Sequence, residues 1–267
     1  MRRLGQHFLT NQKAIHAIIA SLAPERGQAI IEIGPGHGEL TLPLLHALPR
    51  DTHVVAVERD PALLRSLREA ARGYDYFEVI EGDALRIIPV LAGSTDQRFQ
   101  SYVIVGNLPY YITGFLLRIL SDLPHKPTRA VFTIQKEVAS RIIATPPRMN
   151  RLAASVQVWA TPRVLMTFPP ESFSPSPRVH SAVISLTTRT PSLLPTHEAE
   201  DAYYRLVRTL FQHPRKTILN NLLDDLSLTR DVFEARLRSL GVSPALRPHD
   251  LSLPLLLQLS SLLFARK

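Results

Sequence analysis

A β-branched apolar run, "SYVIVGNLPYY", ends at Asn107, Leu108, Pro109 and Tyr110. Asn and Pro can make a turn, but a turn needs no aromatic pair directly after them. Other strand-like runs also end in residues able to do chemistry. "EIGPGHGELT" supplies Gly34, Gly36 and Gly38, which let a backbone turn tightly and approach a ligand closely. Glu58 closes "THVVAVE", 20 residues beyond Gly38. A carboxylate there can accept hydrogen bonds from both hydroxyls of a ribose. Asp83 in "EGDAL" can accept from the amino group of an adenine. The glycine spacing is G-x-G-x-G, not the dinucleotide G-x-G-x-x-G, so alone it reads equally as a loop serving backbone geometry. Either carboxylate alone reads as a solvated strand-end charge. At three consecutive strand ends, the three features together point to a bound adenosine moiety.

Such a constellation requires elements that bring separate strand ends to one place. Asn11 can cap a helix whose Ile15, Ile18, Ile19 and Leu22 follow helical spacing. Five strand-like runs then alternate with helical patterns up to "TRAVFTIQKEVASRII". One of these patterns, "PALLRSLREAARG", has Pro61 in its first turn and Gly73 just past its end. This alternation predicts an α/β fold with parallel strands, right-handed crossovers and helices on both sheet faces. Ligands of such sheets bind beyond the carboxyl ends of the strands. "RVLMTFPPESFSPSPRVHSAVISLTTR" is Pro- and Ser-rich in the middle and β-like at both ends, which predicts an antiparallel hairpin at the sheet edge. A polar linker around Thr190–Thr196 leads into "DAYYRLVRTLF", "RKTILNNLLDDL", "RDVFEARLRSL" and "DLSLPLLLQLSSLLF", which read as four helices. The predicted organisation is an α/β domain over residues 1–190 and a small all-helical domain over 191–267.

Composition narrows the function classes. Lys and Arg number 31 against 23 Asp and Glu, a net charge of +8, and 26 of the cations are Arg. That excess favours a polyanionic partner, nucleic acid first. With no Cys, disulfide scaffolds, thiolate zinc sites and cysteine nucleophiles are excluded, and with them C5-cytosine methylation through a covalent adduct. The 10 His show no metal-ligand spacing, so no metal is expected. No run approaches the roughly 18 apolar residues of a membrane helix. "MRRLGQHFLT" has no apolar run or cleavage site behind its arginines, so the expectation is a cytoplasmic protein without membrane association.

The motifs "EIGPGHGELT", "VVAVERD", "EGDAL" and "NLPYY", in this order and spacing, resemble those of S-adenosylmethionine-dependent methyltransferases. "GQHFL" (Gly5 to Leu9), "QKEVASR" and "PPESFSPSPRVHSAV" narrow the resemblance to the ribosomal RNA adenine N6-dimethyltransferases, the KsgA (RsmA) and Erm family. "RKTILNN" and "RPHDLS" are similar to the KsgA branch, and the resemblance covers nearly the whole chain. It implies a Rossmann-like methyltransferase domain followed by a helical RNA-recognition domain. It also implies that S-adenosyl-L-methionine is the cofactor, with His7 and Leu9 against it, Gly34 and Gly36 lining it, Glu58 on its ribose and Asp83 at its adenine.

The same resemblance places Asn107 between the cofactor and a target adenine. The Asn107 side-chain carbonyl and the Leu108 backbone carbonyl, aimed by Pro109, would accept from both N6 hydrogens. Tyr110 would stack on one face of the base and Phe173 on the other, while Tyr111 is expected to pack. The implied substrate is a pair of adjacent adenosines in a hairpin loop near the 3′ end of 16S rRNA, in an immature small subunit. Arg215 and Lys216 would contact RNA, and the protein would act as a monomer. An Erm-type 23S rRNA methyltransferase giving macrolide resistance, or a non-catalytic RNA- or DNA-binding relative, are the alternatives. The sequence departs from the family at His7, where many relatives have Asn, and at Pro214, where a second Arg is frequent. "NRLAAS" also lacks the Tyr and Gly common near that point.

Overall fold

The structure, a computed structural model, describes residues 7–225 and 229–264. Gly5 and Gln6 of the N-terminal motif lie outside the described residues. Among the described residues nine strands form, in chain order β1 (Phe8–Leu9), β2 (Ala29–Ile33), β3 (Val54–Glu58), β4 (Phe77–Glu81), β5 (Tyr102–Asn107), β6 (Arg129–Gln135), β7 (Ala160–Phe168), β8 (Phe173–Ser174) and β9 (Ser181–Thr188). Seven of them make one sheet in the order β4-β3-β2-β5-β6-β9-β7. β4, β3, β2, β5 and β6 run parallel, and β9 is antiparallel to β6. Every residue of β2 and β3 is buried, which is why both read as mainly apolar runs, interrupted by Glu32 and closed by Glu58, rather than alternating ones.

The crossover helices are α2 (Thr41–Ala47), α3 (Pro61–Ala70), α4 (Ala84–Ala92) and α5 (Thr113–Asp122), with α1 (Gln12–Leu22) ahead of them. Polar side chains set where three of the helices begin. Asn11 Oδ1 accepts from the Ala14 amide at 3.1 Å, Asp60 Oδ1 from Ala62 at 2.8 Å and Asp83 Oδ1 from Leu85 at 3.0 Å. Strands β2 to β4 extend toward one edge of the sheet, and the chain then returns to place β5 on the other side of β2. That reversal opens a crevice at the carboxyl ends of β2 and β5.

Two compact units share the chain. One takes the chain through Ala139 together with Pro162–Thr188, and the other takes Ser140–Thr161 and the chain from Arg189 onward. Residues 140–161 thus join the chain from Arg189 onward in the second unit. The second unit holds α7 (Arg151–Gln157), preceded in the chain by α6 (Lys136–Ile142), and then α8 (His197–Leu210), α9 (Ile218–Asp225), α10 (Arg230–Ser239) and α11 (Leu253–Phe264). Asn150 caps α7 through the Ala153 amide at 3.1 Å. Ala153, Ala154 and Val156 of "NRLAAS" and its continuation are buried, and the Tyr203 hydroxyl of α8 donates to the Ala154 carbonyl at 3.0 Å. These apolar and hydrogen-bonded contacts, not adjacency in sequence, assign the segment to the helical unit. No described helix is long and apolar enough to cross a membrane.

Candidate active site

A cavity of about 360 Å³ opens at the carboxyl ends of the parallel strands. Gly34, Gly36, Glu58, Asp83, Asn107, Leu108, Pro109 and Tyr110 all border it, together with His7. Their assembly follows from topology. β2, β3, β4 and β5 each deliver one loop to the same edge of the sheet, so residues as distant in sequence as Gly34 and Asn107 become neighbours around one space.

The glycine loop is shaped for a ligand. Gly34 sits at φ 63° with its amide on the Val57 carbonyl at 3.0 Å, and a side chain added there would meet nothing within 4 Å. The space that Gly34 leaves open belongs to the cavity. Gly36, also at φ 63°, is tighter. A Cβ there would come within 2.9 Å of the Phe8 ring and 3.0 Å of Glu39 Oε2. Glycine is required at Gly36 both by its left-handed backbone and by the ring above it.

The carboxylates are held by backbone amides. Glu58 is buried, and its Oε1 accepts from the amides of Arg59 at 2.7 Å and Asp60 at 2.9 Å, while Oε2 accepts from Gly36 at 3.3 Å. That rigid mounting suits it to a ribose diol. Asp83 spends one oxygen on the α4 cap, leaving Oδ2 with no protein donor among the described residues. The donor and acceptor set of this cavity thus fits S-adenosylmethionine: a glycine cradle, a carboxylate for the ribose and a second carboxylate at the far end.

Asn107 closes β5 with its amide orientation set. Its Nδ2 donates to the His7 carbonyl at 2.7 Å, and Oδ1 has no donor among the described residues. The Leu108 amide donates to the Thr133 carbonyl at 3.1 Å, whereas its own carbonyl accepts nothing among the described residues. Two neutral acceptors are therefore left unspent at one strand end. The Tyr110 hydroxyl shares a 2.8 Å hydrogen bond with Ser181 Oγ on β9, which fixes the ring at the cavity wall. The His7 ring lies 6.1 Å from it at 26°, and His7 Nδ1 donates to the Pro175 carbonyl at 2.6 Å.

Several residues lie elsewhere than the sequence reading placed them. Leu9 and Phe173 pair directly in the ribbon of β1 and β8, and they are 2% and 3% exposed within the apolar core. Successive strand residues face opposite sides, so Phe8, not Leu9, borders the cavity. Phe173 packs on Phe168 at 6.1 Å between ring centres and does not line the cavity, so it offers no stacking face there. Tyr111, expected to pack, is 60% exposed and borders the cavity, as does Phe115. Phe115 falls in the helical pattern after the motif, which marks it as apolar but not as the ring that faces the cavity. Arg215 and Lys216 precede α9 in a turn rather than lying on a helix, and Lys216 pairs with Asp224 at 2.7 Å.

The sheet order, the glycine turn and the strand-end carboxylates define a Rossmann-like methyltransferase. The family described as "Ribosomal RNA adenine dimethylase" matches residues 1–243, and the chain belongs to it. It is thus an rRNA adenine dimethyltransferase using S-adenosylmethionine. The chain is 35% identical over 250 residues to "Ribosomal RNA small subunit methyltransferase A" of Dehalococcoides mccartyi, covering 94% of this chain and 84% of that one. Among solved structures, a dimethyladenosine transferase from Plasmodium falciparum superposes with a TM-score of 0.78 at 25% identity, covering 95% of this chain and 96% of the other. The 23S rRNA methyltransferase ErmE superposes with a TM-score of 0.75 at 27% identity, covering 96% and 99%.

Proposed function

We propose that this enzyme dimethylates N6 of two adjacent adenosines in a hairpin loop near the 3′ end of 16S rRNA, acting as a cytoplasmic monomer on an immature small subunit. The small-subunit assignment rests on the printed name of the 35% identical relative, against 27% identity for ErmE. The observation that carries the chemistry is the tethered Asn107 amide beside an unspent Leu108 carbonyl.

An exocyclic adenine amine is a poor nucleophile because its lone pair is delocalised into the ring. Hydrogen bonds accepted from both N6 hydrogens favour a more tetrahedral nitrogen with a localised lone pair. Asn107 Oδ1 and the Leu108 carbonyl are the acceptors, and their fixed positions mean little reorganisation during reaction. Pro109 restricts Leu108 and so aims its carbonyl. Tyr110, held by Ser181, presents a ring on which a base flipped from its stack can rest. Glu58, Asp83 and the Gly34–Gly36 turn would hold S-adenosylmethionine, which supplies an electrophilic methyl on a positively charged sulfur. No general base is required before attack, because the proton becomes acidic once the nitrogen is alkylated.

Purified enzyme with labelled S-adenosylmethionine, offered both ribosomal subunits from cells lacking these modifications, tests the substrate. Label is expected in small-subunit RNA, at paired dimethyladenosines stopping primer extension. Label in large-subunit RNA would favour the Erm-type reading, and no transfer to either would favour a binding module.

Arg215 and Lys216 are proposed as RNA contacts. Both are exposed, and the surface pair of Lys216 with Asp224 is of a kind worth little. Neutralising both should reduce the slope of log affinity against log salt by about 1–2. An unchanged slope would remove them from the interface.

A further inference from the structure

The first turn of α5 is built in an unusual way. Leu116, Leu117 and Leu120 are buried, yet Phe115 is 68% exposed at the cavity rim. Leaving a large ring in water forgoes the gain of burying it, about 1.5–3 kcal/mol for a Phe side chain. No described side chain covers this ring. α5 packs against α4, and both helices begin at the carboxyl edge of the sheet. The start of α4 contributes Asp83, Ala84 and Leu85 to the same cavity. One end of the cavity therefore combines two apolar side chains, Leu85 and Phe115, with the free Oδ2 of Asp83. That combination suits a flat heterocycle bearing an amino group at its edge.

Two such heterocycles enter this site, and topology separates them. Tyr110 is bonded to Ser181 on β9 and Asn107 to the N-terminal segment, whereas β4 and α4 lie on the other side of β5. The target base belongs with Tyr110, and Phe115 shares the α4 side. We propose that Phe115, with Leu85, forms the apolar enclosure of the cofactor's adenine and is covered when the cofactor binds. This rests on the assignment of the cavity to S-adenosylmethionine.

Calorimetric titration of wild-type enzyme and Phe115→Ala with S-adenosylhomocysteine tests it. The variant should bind about 10-fold more weakly, in line with the loss of one base–aromatic contact. Phe115→Leu should recover part of that loss. Phe115→Trp should retain affinity, with its indole fluorescence changing on titration. The KM for small-subunit RNA should stay within about twofold, and melting temperatures should match because the ring is exposed. Unchanged S-adenosylhomocysteine affinity with a raised RNA KM would overturn the proposal and assign Phe115 to the nucleic acid. Failure of the wild-type protein to bind S-adenosylhomocysteine would instead overturn the cavity assignment, and the proposal with it.

Discussion

Asn107→Ala is expected to lower kcat by about 10²–10³-fold, the range seen when one pre-positioned polar group that stabilises developing charge is deleted. The expectation follows from a division of labour within one amide. Nδ2 is spent on the His7 carbonyl at 2.7 Å, so Oδ1 can present a lone pair only toward the cavity. Alanine removes both the acceptor and its tether. Asn107→Asp separates the two, since it keeps an oxygen in place but cannot donate to His7 and adds a charge. It should remain strongly impaired. Single-turnover methyl transfer, RNA affinity and S-adenosylhomocysteine affinity, measured together, check the assignment. Transfer should collapse while RNA binding stays nearly intact. Simultaneous loss of transfer and RNA binding, with a lowered melting temperature, would make Asn107 a structural residue.

Glu32→Gln is expected to stabilise the protein at alkaline pH and change little in acid. Glu32 is buried in β2, directly before the glycine turn, and its Oε2 has no hydrogen-bond partner among the described residues. Burial pushes its carboxyl from 4.5 up to about 8, with the charges of Glu39 and Glu58 adding to the rise and Thr41 opposing it. The folded chain therefore keeps a proton that the unfolded chain releases, so stability falls as pH rises from about 4.5 to about 8 and levels off above. At 1.36 kcal/mol per pKa unit the fall is on the order of 5 kcal/mol, a large share of a typical domain's stability. Glutamine, neutral at every pH, should remove most of it. Urea melts at pH 5, 6.5 and 8 decide the matter. The two stability curves should converge at pH 5 and separate by roughly 3 kcal/mol at pH 8. Parallel curves would mean that Glu32 ionises in the fold as it does outside it.

The alternation of strands and helices, the cap at Asn11, the helix start at Pro61, and the grouping of Gly34, Glu58, Asp83 and Asn107 at one sheet edge were all legible from the chain. Each depends on local rules: period-2 or period-3.6 burial, a side chain two or three residues from the amide it caps, and the carboxyl-end placement that parallel strands impose. Tertiary structure alone decided which face a residue took in short elements. β1 and β8 join residues more than 160 positions apart, and a two-residue strand carries too little pattern to reveal its register. One step of register exchanges Phe8 for Leu9 at the cavity, and the same pairing sends Phe173 into the core. Assigning residues 140–161 to the helical unit likewise required knowing that Tyr203 reaches Ala154, a contact no local propensity encodes. Phe115 remained hidden because a helical pattern predicts where apolar residues recur but not which of them is left facing a cavity.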